Sequence, residues 1–452
     1  MLLPSPWSLF KGSLVALLAA PAYAITLDIS SEESIKSAAS ISAKAMMSYY
    51  KGNLPGHIPG AFASKWWEGG ALFLATLQYW HFTGDTTYNE ETRIGMQWQA
   101  GDDNFYPSNY SAYLGNDDQM FWGLAGMTAA ELKFADDSTG YSWLSLAQGV
   151  FNAQIDRWDT TACDGGMRWQ IHSWESGYTL KNSISNGGLF QLAARLARYT
   201  GDSLYTEWAN KIWNWSANSP LLNNSTWNVA DSTEMENDCA TQGDTQWSYN
   251  YGTYMMGAAY MYNYTNGSST WLKAVDGLLN KTFDHFIVNG VLKEVTCEPS
   301  EECNDNEILF KGLVSSWLSF TALLVPSTYD RILTKLQNSA KAAALSCTGH
   351  SNNTCGVRWY LSKYDGWMGM EEEIAATNIF VANMIAFSNS APVTSTTGGN
   401  STSNTNAGKT NETSDYVMST ITSGDKAGAA ILAVVLTVGA MASMGWLVMG
   451  SD

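Results

Sequence analysis

Two adjacent carboxylates, Asp117 and Asp118, stand at the mouth of a segment that then runs without charge to Glu131. Gly123, Ala125, Gly126, Ala129 and Ala130 are spread among its large apolar residues, the composition of a helix buried on every face. Asn116 before the pair reads as an N-cap, and the N-terminal dipole favours an anion in the first turn. In such a pair one carboxyl can be held ionised while repulsion raises the proton affinity of the other. A nucleophile and a general acid need that division. A doublet can equally be a helix cap, and Asp102-Asp103 and Asp136-Asp137 repeat the pattern in this chain. The elements that carry them decide between these readings.

Those elements recur. The turn Thr83-Gly84-Asp85-Thr86-Thr87-Tyr88 returns as Thr200-Gly201-Asp202-Ser203-Leu204-Tyr205, with looser copies at residues 138–141, 266–269 and 326–329. The period is about sixty residues. Each turn follows a segment apolar nearly all round and leads into an amphipathic one. The first kind covers 66–82, 117–133, 184–198, 249–263, 307–324 and 372–387; the second covers 31–50, 86–100, 142–158, 203–217, 269–287 and 328–345. A helix without a polar face belongs inside, and one with a single apolar stripe belongs outside. The expected fold is therefore all-α, an (α/α)6 toroid of six helical hairpins forming one domain over residues 25–389. An open α-solenoid is the alternative, but its end repeats would be polar caps.

Short turns lie at one rim of such a toroid and loops of fifteen to thirty residues at the other, where the inner helices begin. That rim gathers Trp66, Trp67 and Glu68; Asp117 and Asp118, with Trp122 a turn further on; Arg168, Trp169, Gln170, Lys181, Asn182, Ser185 and Asn186; Tyr249 and Asn250; Lys311; and Glu371 to Glu373. Amides and carboxylates bond hydroxyls while Trp and Tyr stack on sugar faces, so the cup suits a polyhydroxylated ligand. The other two doublets fall in loop or turn text near the outer layer, which singles out Asp117-Asp118. His57, His81, His172, His285 and His350 show no ligand spacing, no phosphate-binding glycine loop occurs, and neither metal nor cofactor is expected.

A formal charge of −18 argues against nucleic acid as a partner. Lys11, the apolar run Leu14 to Ala20 and Ala22-Tyr23-Ala24 read as a signal peptide over residues 1–24. Residues 390–423, rich in Ser, Thr, Asn and Gly, read as a flexible stalk. Residues 424–452, with small residues at Ser423-Gly424 and an apolar run from Ala429 to Met449, read as a GPI-anchor signal, the alternative being a tail-anchored helix. Ten Asn-x-Ser/Thr sequons and six cysteines suit an exported protein held at the outer face of the membrane or in the wall. Of fifteen possible connectivities, proximity favours Cys297–Cys303 and Cys347–Cys355, leaving Cys163 with Cys239.

The motifs Tyr49-Tyr50-Lys51-Gly52-Asn53, Trp66-Trp67-Glu68-Gly69-Gly70-Ala71, Asn116-Asp117-Asp118-Gln119 with Phe121-Trp122, Lys181-Asn182-Ser183-Ile184-Ser185-Asn186-Gly187, Tyr249-Asn250-Tyr251-Gly252 and Phe310-Lys311-Gly312 occur in that order. Across about residues 30–389 the chain resembles glycoside hydrolase family 76, in particular its fungal GPI-anchored mannan endo-1,6-α-mannosidases. The resemblance implies a retaining enzyme acting within α-1,6-mannose chains, with Asp117 as nucleophile and Asp118 as acid/base. It further implies transglycosylation of a GPI glycan core onto a β-glucan acceptor in cell-wall biogenesis. Retaining glycosidases hold their carboxyls about 5 Å apart, a separation that adjacent residues opening a helix can reach. The alternative function is a non-catalytic carbohydrate-binding wall protein using the same aromatic cup.

Overall fold

The computed structural model describes residues 24–62, 65–243, 245–350, 353–388 and 390–409, together with 433, 436, 437 and 439. Among the described residues twelve α-helices follow in order: α1 (Glu32–Tyr49), α2 (Trp67–Thr83), α3 (Asn89–Trp98), α4 (Asn116–Glu131), α5 (Trp143–Asp156), α6 (Ser183–Thr200), α7 (Ser203–Asn218), α8 (Ser248–Tyr264), α9 (Ser269–Phe286), α10 (Asp305–Leu324), α11 (Tyr329–Ser346) and α12 (Met370–Ala382). They alternate outer and inner as the hydrophobic pattern predicts. Of α6, only Arg198 and Thr200 escape full burial, whereas α7 buries a stripe of Tyr205, Ala209, Ile212, Trp215 and Ser216.

The inner helices pack in the sequence α2, α4, α6, α8, α10 and α12, and α12 packs back against α2. That last contact closes the ring and excludes the open solenoid. Close approach of α2 and α4 requires glycine: a Cβ at Gly69 would stand 2.6 Å from the Trp122 ring, and one at Gly70 would stand 3.0 Å from the Phe121 backbone. The recurrent Thr-Gly-Asp turns end α2 and α6 with Gly84 and Gly201 in left-handed backbone, φ 79° and 75°. Asp202 then accepts from Leu204 N–H at 2.9 Å and caps α7.

The long loops at the opposite rim carry two antiparallel strands, β1 (Leu180–Asn182) and β2 (Ser232–Glu234), with Asn182 facing Ser232. The Cys163–Cys239 disulfide ties the same two loops, and Cys297–Cys303 and Cys347–Cys355 close small loops as their spacing suggested.

One boundary needs correction. Residues 393–408 are not a free stalk but a strap on the outside of the toroid, and the compact unit runs to Lys409. Val393 N–H donates to Glu131 O at 3.0 Å, Leu144 N–H to Ser401 Oγ at 2.9 Å, and Asn404 N–H to Gln148 Oε1 at 2.7 Å. Asn152 Nδ2 donates to Ala407 O at 2.8 Å, and Ala407 is buried. The polar composition that suggested disorder is here satisfied by amides on α5. The other aspartate doublets serve this packing: Asp136 holds Thr402 N–H at 3.0 Å, and Asp103 accepts from Gly408 N–H at 2.5 Å.

Beyond Lys409 the described residues are Ala433, Leu436, Thr437 and Gly439, all helical. The expected signal peptide and most of the expected anchor signal lie outside the described residues.

Candidate active site

The inner helices open onto a cavity of about 410 Å3 with Asp117 and Asp118 in its wall. Backbone bonds fix the start of α4. Gly115 bridges Gln170, and Asn116 N–H donates to Trp169 O at 2.8 Å. The cap is not Asn116, whose amide is engaged elsewhere: it donates to Arg168 O at 3.0 Å and accepts from Arg157 Nε at 2.8 Å. Asp118 reaches back instead, its Oδ2 accepting from Gly115 N–H at 2.8 Å. Asp117 Oδ1 accepts from Asp118 N–H at 3.0 Å, and the Asn182 amide donates to the same carboxyl group.

Burial pushes both carboxyls up, Asp118 to about 6. Asp117 is raised further because Asp118 stands beside it, while its hydrogen-bond donors oppose the shift. The two carboxyls therefore titrate as one coupled unit, each keeping its proton to higher pH than a free aspartate.

Aromatic rings form the walls. Trp66 stacks on Trp122 with centroids 5.1 Å apart and donates to Gln99 Oε1 at 2.7 Å. Trp67 Nε1 donates to Asn306 Oδ1 at 3.0 Å, and Tyr249 lies parallel to Phe310 at 3.7 Å. Trp169, Gln170 and Asn182 complete the predicted residues that line the cavity.

Other residues named for the rim do not line it, among them Trp122, Arg168, Asn186, Asn250 and Lys311. Trp122 is wholly buried behind Trp66, its Nε1 donating to Trp66 O at 3.2 Å. Arg168 pairs with Asp159 at 3.1 Å and lies over the Tyr178 ring at 4.3 Å. Asn186 is buried against Met167, donating to its carbonyl at 2.9 Å. Asn250 is buried and donates to Asp231 Oδ1 at 3.0 Å. Lys311 is buried with Glu298 at 2.8 Å and sits over Trp359. Three of these misplacements share a cause. Phe121 and Trp122, Tyr249 and Asn250, and Phe310 and Lys311 are neighbours about 100° apart around a helix, and in each pair the first side chain lines the cavity.

Asp231, Asn306 and Glu307 line the cavity without having been singled out from the sequence. Asp231 lies in a long loop with no periodic signal. It is placed by the β1–β2 register and by its carbonyl, which accepts from Ser183 N–H at 2.8 Å. Burial raises its carboxyl and Asn250 partly offsets that. Asn306 and Glu307 fall in the first turn of α10, a turn ahead of Lys311, and the rule that inner helices begin at the cup could have found them. Among the described residues one trio has metal-ligand proximity, Cys297, Cys303 and Glu307, but its two sulfurs form a disulfide.

The profile of glycosyl hydrolase family 76 matches residues 34–396. The mannan endo-1,6-α-mannosidase DCW1 of Saccharomyces cerevisiae is 41% identical over 94% of this chain and 95% of its own, and the corresponding Candida albicans protein is 40% identical over 96% and 98%. The solved structure of Dfg5 from Chaetomium thermophilum, in complex with glucosamine, superposes with a TM-score of 0.81 at 37% identity, covering 85% of this chain and 97% of that one. A bacterial α-1,6-mannanase from Salegentibacter, an inactive variant with two consecutive aspartates changed to asparagine and bound to α-1,6-mannotriose, shares the fold: TM-score 0.63, 18% identity, 78% of this chain and 99% of that one. On this profile match and these full-length relatives, the chain belongs to glycosyl hydrolase family 76.

Proposed function

We propose that this protein is a retaining endo-α-1,6-mannosidase or transglycosidase acting on α-1,6-mannose chains, mannan or the core of a GPI glycan, in fungal cell-wall biogenesis. The observation that carries the reading is the adjacent pair of carboxyls in the wall of an aromatic-walled cavity, both raised by burial. Asp117, surrounded by donors to its anion, attacks the anomeric carbon and forms the glycosyl–enzyme bond. Asp118 gives its proton to the departing glycosidic oxygen and then takes one from the incoming hydroxyl. Water as the incoming group gives hydrolysis; a sugar hydroxyl, as on a β-glucan, gives transfer.

Trp66, Trp67, Trp169 and Tyr249 hold the sugar rings, and Asn182 and Asp231 take hydroxyls. Trp122 supports Trp66 and Asn250 supports Asp231 from behind. Asp117, Asp118, Asp231 and Glu307 make the lining acidic, which suits an amino sugar such as the glucosamine bound by the fungal relative. The amino-terminal signal and the anchor signal at 424–452 would carry the enzyme to the outer face of the plasma membrane or the wall.

The test is incubation of the ectodomain with α-1,6-mannooligosaccharides, alone and with β-glucan acceptors, while product length is followed. The wild type is expected to shorten or transfer the chains, and Asp117→Asn to do neither while remaining folded. Binding without any change in length would replace this reading with that of a non-catalytic carbohydrate-binding wall protein.

A further inference from the structure

At the lip of the cup two aromatic rings lie open to solvent: Tyr113 is 55% exposed and Trp174 is 42% exposed. Both are fixed. Trp174 Nε1 donates to Ala112 O at 3.1 Å, and one face of its ring lies on His172, centroids 4.3 Å apart and planes 7° from parallel. His172 is held in turn, its Nε2 donating to Ser111 O at 2.6 Å. The indole N–H and one face are engaged within the loops, which leaves the opposite face for a ligand. Tyr113 lines the catalytic cavity and packs edge-on against Tyr110, centroids 6.4 Å apart.

A rigid aromatic ring whose polar handle is satisfied internally loses little conformational entropy when a second apolar surface covers its free face. A hexopyranose presents such a surface. The bond partner of Trp174, Ala112, adjoins the cavity-lining Tyr113, and Gln170, four residues before Trp174, also lines the cavity, so the ring stands beside the cavity.

We propose that Trp174 and Tyr113 form an outer subsite that stacks a hexopyranose ring of a saccharide chain extending beyond the catalytic cavity. This rests on the glycosidase reading above. The chain is either the distal part of the mannose donor or the glucan acceptor, which share this ring chemistry.

The experiment measures, by calorimetry in an Asp117→Asn background, the affinity for α-1,6-mannobiose and α-1,6-mannohexaose with and without Trp174→Ala. In the otherwise wild-type enzyme it measures KM for a β-glucan oligosaccharide acceptor. Trp174→Ala is expected to weaken the hexaose about tenfold with the disaccharide unchanged if the donor occupies the subsite, or to raise acceptor KM by about as much if the glucan does. Trp174→Phe, which keeps a stacking face without the N–H, is expected to restore most of either loss. Unchanged hexaose affinity and acceptor KM would overturn the subsite, as would a Phe variant as impaired as the Ala variant, which would assign Trp174 to loop bracing. If the Asp117→Asn parent bound neither oligosaccharide, the glycosidase reading would fall together with the subsite.

Discussion

Asn182 joins two helices through one amide: its oxygen accepts from Ser185 N–H at 3.2 Å and caps α6, so its NH2 is left to donate to Asp117 at the start of α4. The cap fixes the orientation of the amide, which places a donor rather than an acceptor against the carboxyl. Asn182→Ala should lower kcat by about 10²-fold, by removing a donor that stabilises the Asp117 anion, and should lower Tm by the loss of a cap worth about 1 kcal/mol. Asn182→Ser should restore the cap and hence Tm without restoring kcat. Recovery of both would show that the residue acts through the helix alone.

The pair also sets a pH profile. In the free enzyme kcat/KM should fall as pH drops through about 6, because the coupled pair then takes up protons and loses the anion that attacks.

Stability should move the other way. The Asp118 carboxyl is raised in the fold from 3.8 to about 6, so its contribution is fully present below the unfolded value and is lost as pH rises through the folded one. Asp118→Asn should therefore be more stable than wild type at pH 7, by about 1–3 kcal/mol before the weaker cap is counted. The advantage should vanish below about pH 4, which denaturant titrations at the two pH values would check.

Lys311 belongs to the fold and not to the cup. Lys311→Met should leave Glu298 as a buried carboxylate without its cation, costing about 3–5 kcal/mol of stability. KM for α-1,6-mannooligosaccharides should stay within about twofold of wild type at a temperature where the variant is folded. A selective rise in KM with Tm unchanged would return the residue to the binding site.

The strap should behave as part of the domain. Asn152→Ala leaves the carbonyls of Thr405 and Ala407 without their common donor and should cost about 1–3 kcal/mol. A chain ending at residue 389 should melt several degrees below one ending at 409. Equal melting temperatures would show that these contacts contribute nothing.

Alternation of all-apolar and striped segments was enough to foresee twelve helices and their two layers, because burial on one face or on all faces leaves its own period in the sequence. The Thr-Gly-Asp turns were equally legible, since a left-handed C-terminal position calls for glycine and the next helix for an aspartate cap. The strap was not. Ser, Thr and Asn carry the same composition whether they bond water or the amides of Gln148 and Asn152.

Within the site, residue types read at the expected starts of the inner helices brought out the acidic pair, Trp66, Trp67, Trp169, Gln170, Asn182 and Tyr249. What they could not convey was which member of each adjacent pair faces inward. Phe121 or Trp122, Tyr249 or Asn250, and Phe310 or Lys311 are equally good cup residues as letters, and the rotation of α4, α8 and α10 within the ring decides. Asp231 was the converse case, a single carboxylate in loop text that enters the cup because β1 and β2 pair in one register. The sequence by itself determined the helices, their layering and the place of the acidic pair at the start of an inner helix, since these depend on local periodicity and side-chain type. Only the tertiary structure decided ring closure, helix rotation and strand register, because each is set by contacts between residues far apart in the chain.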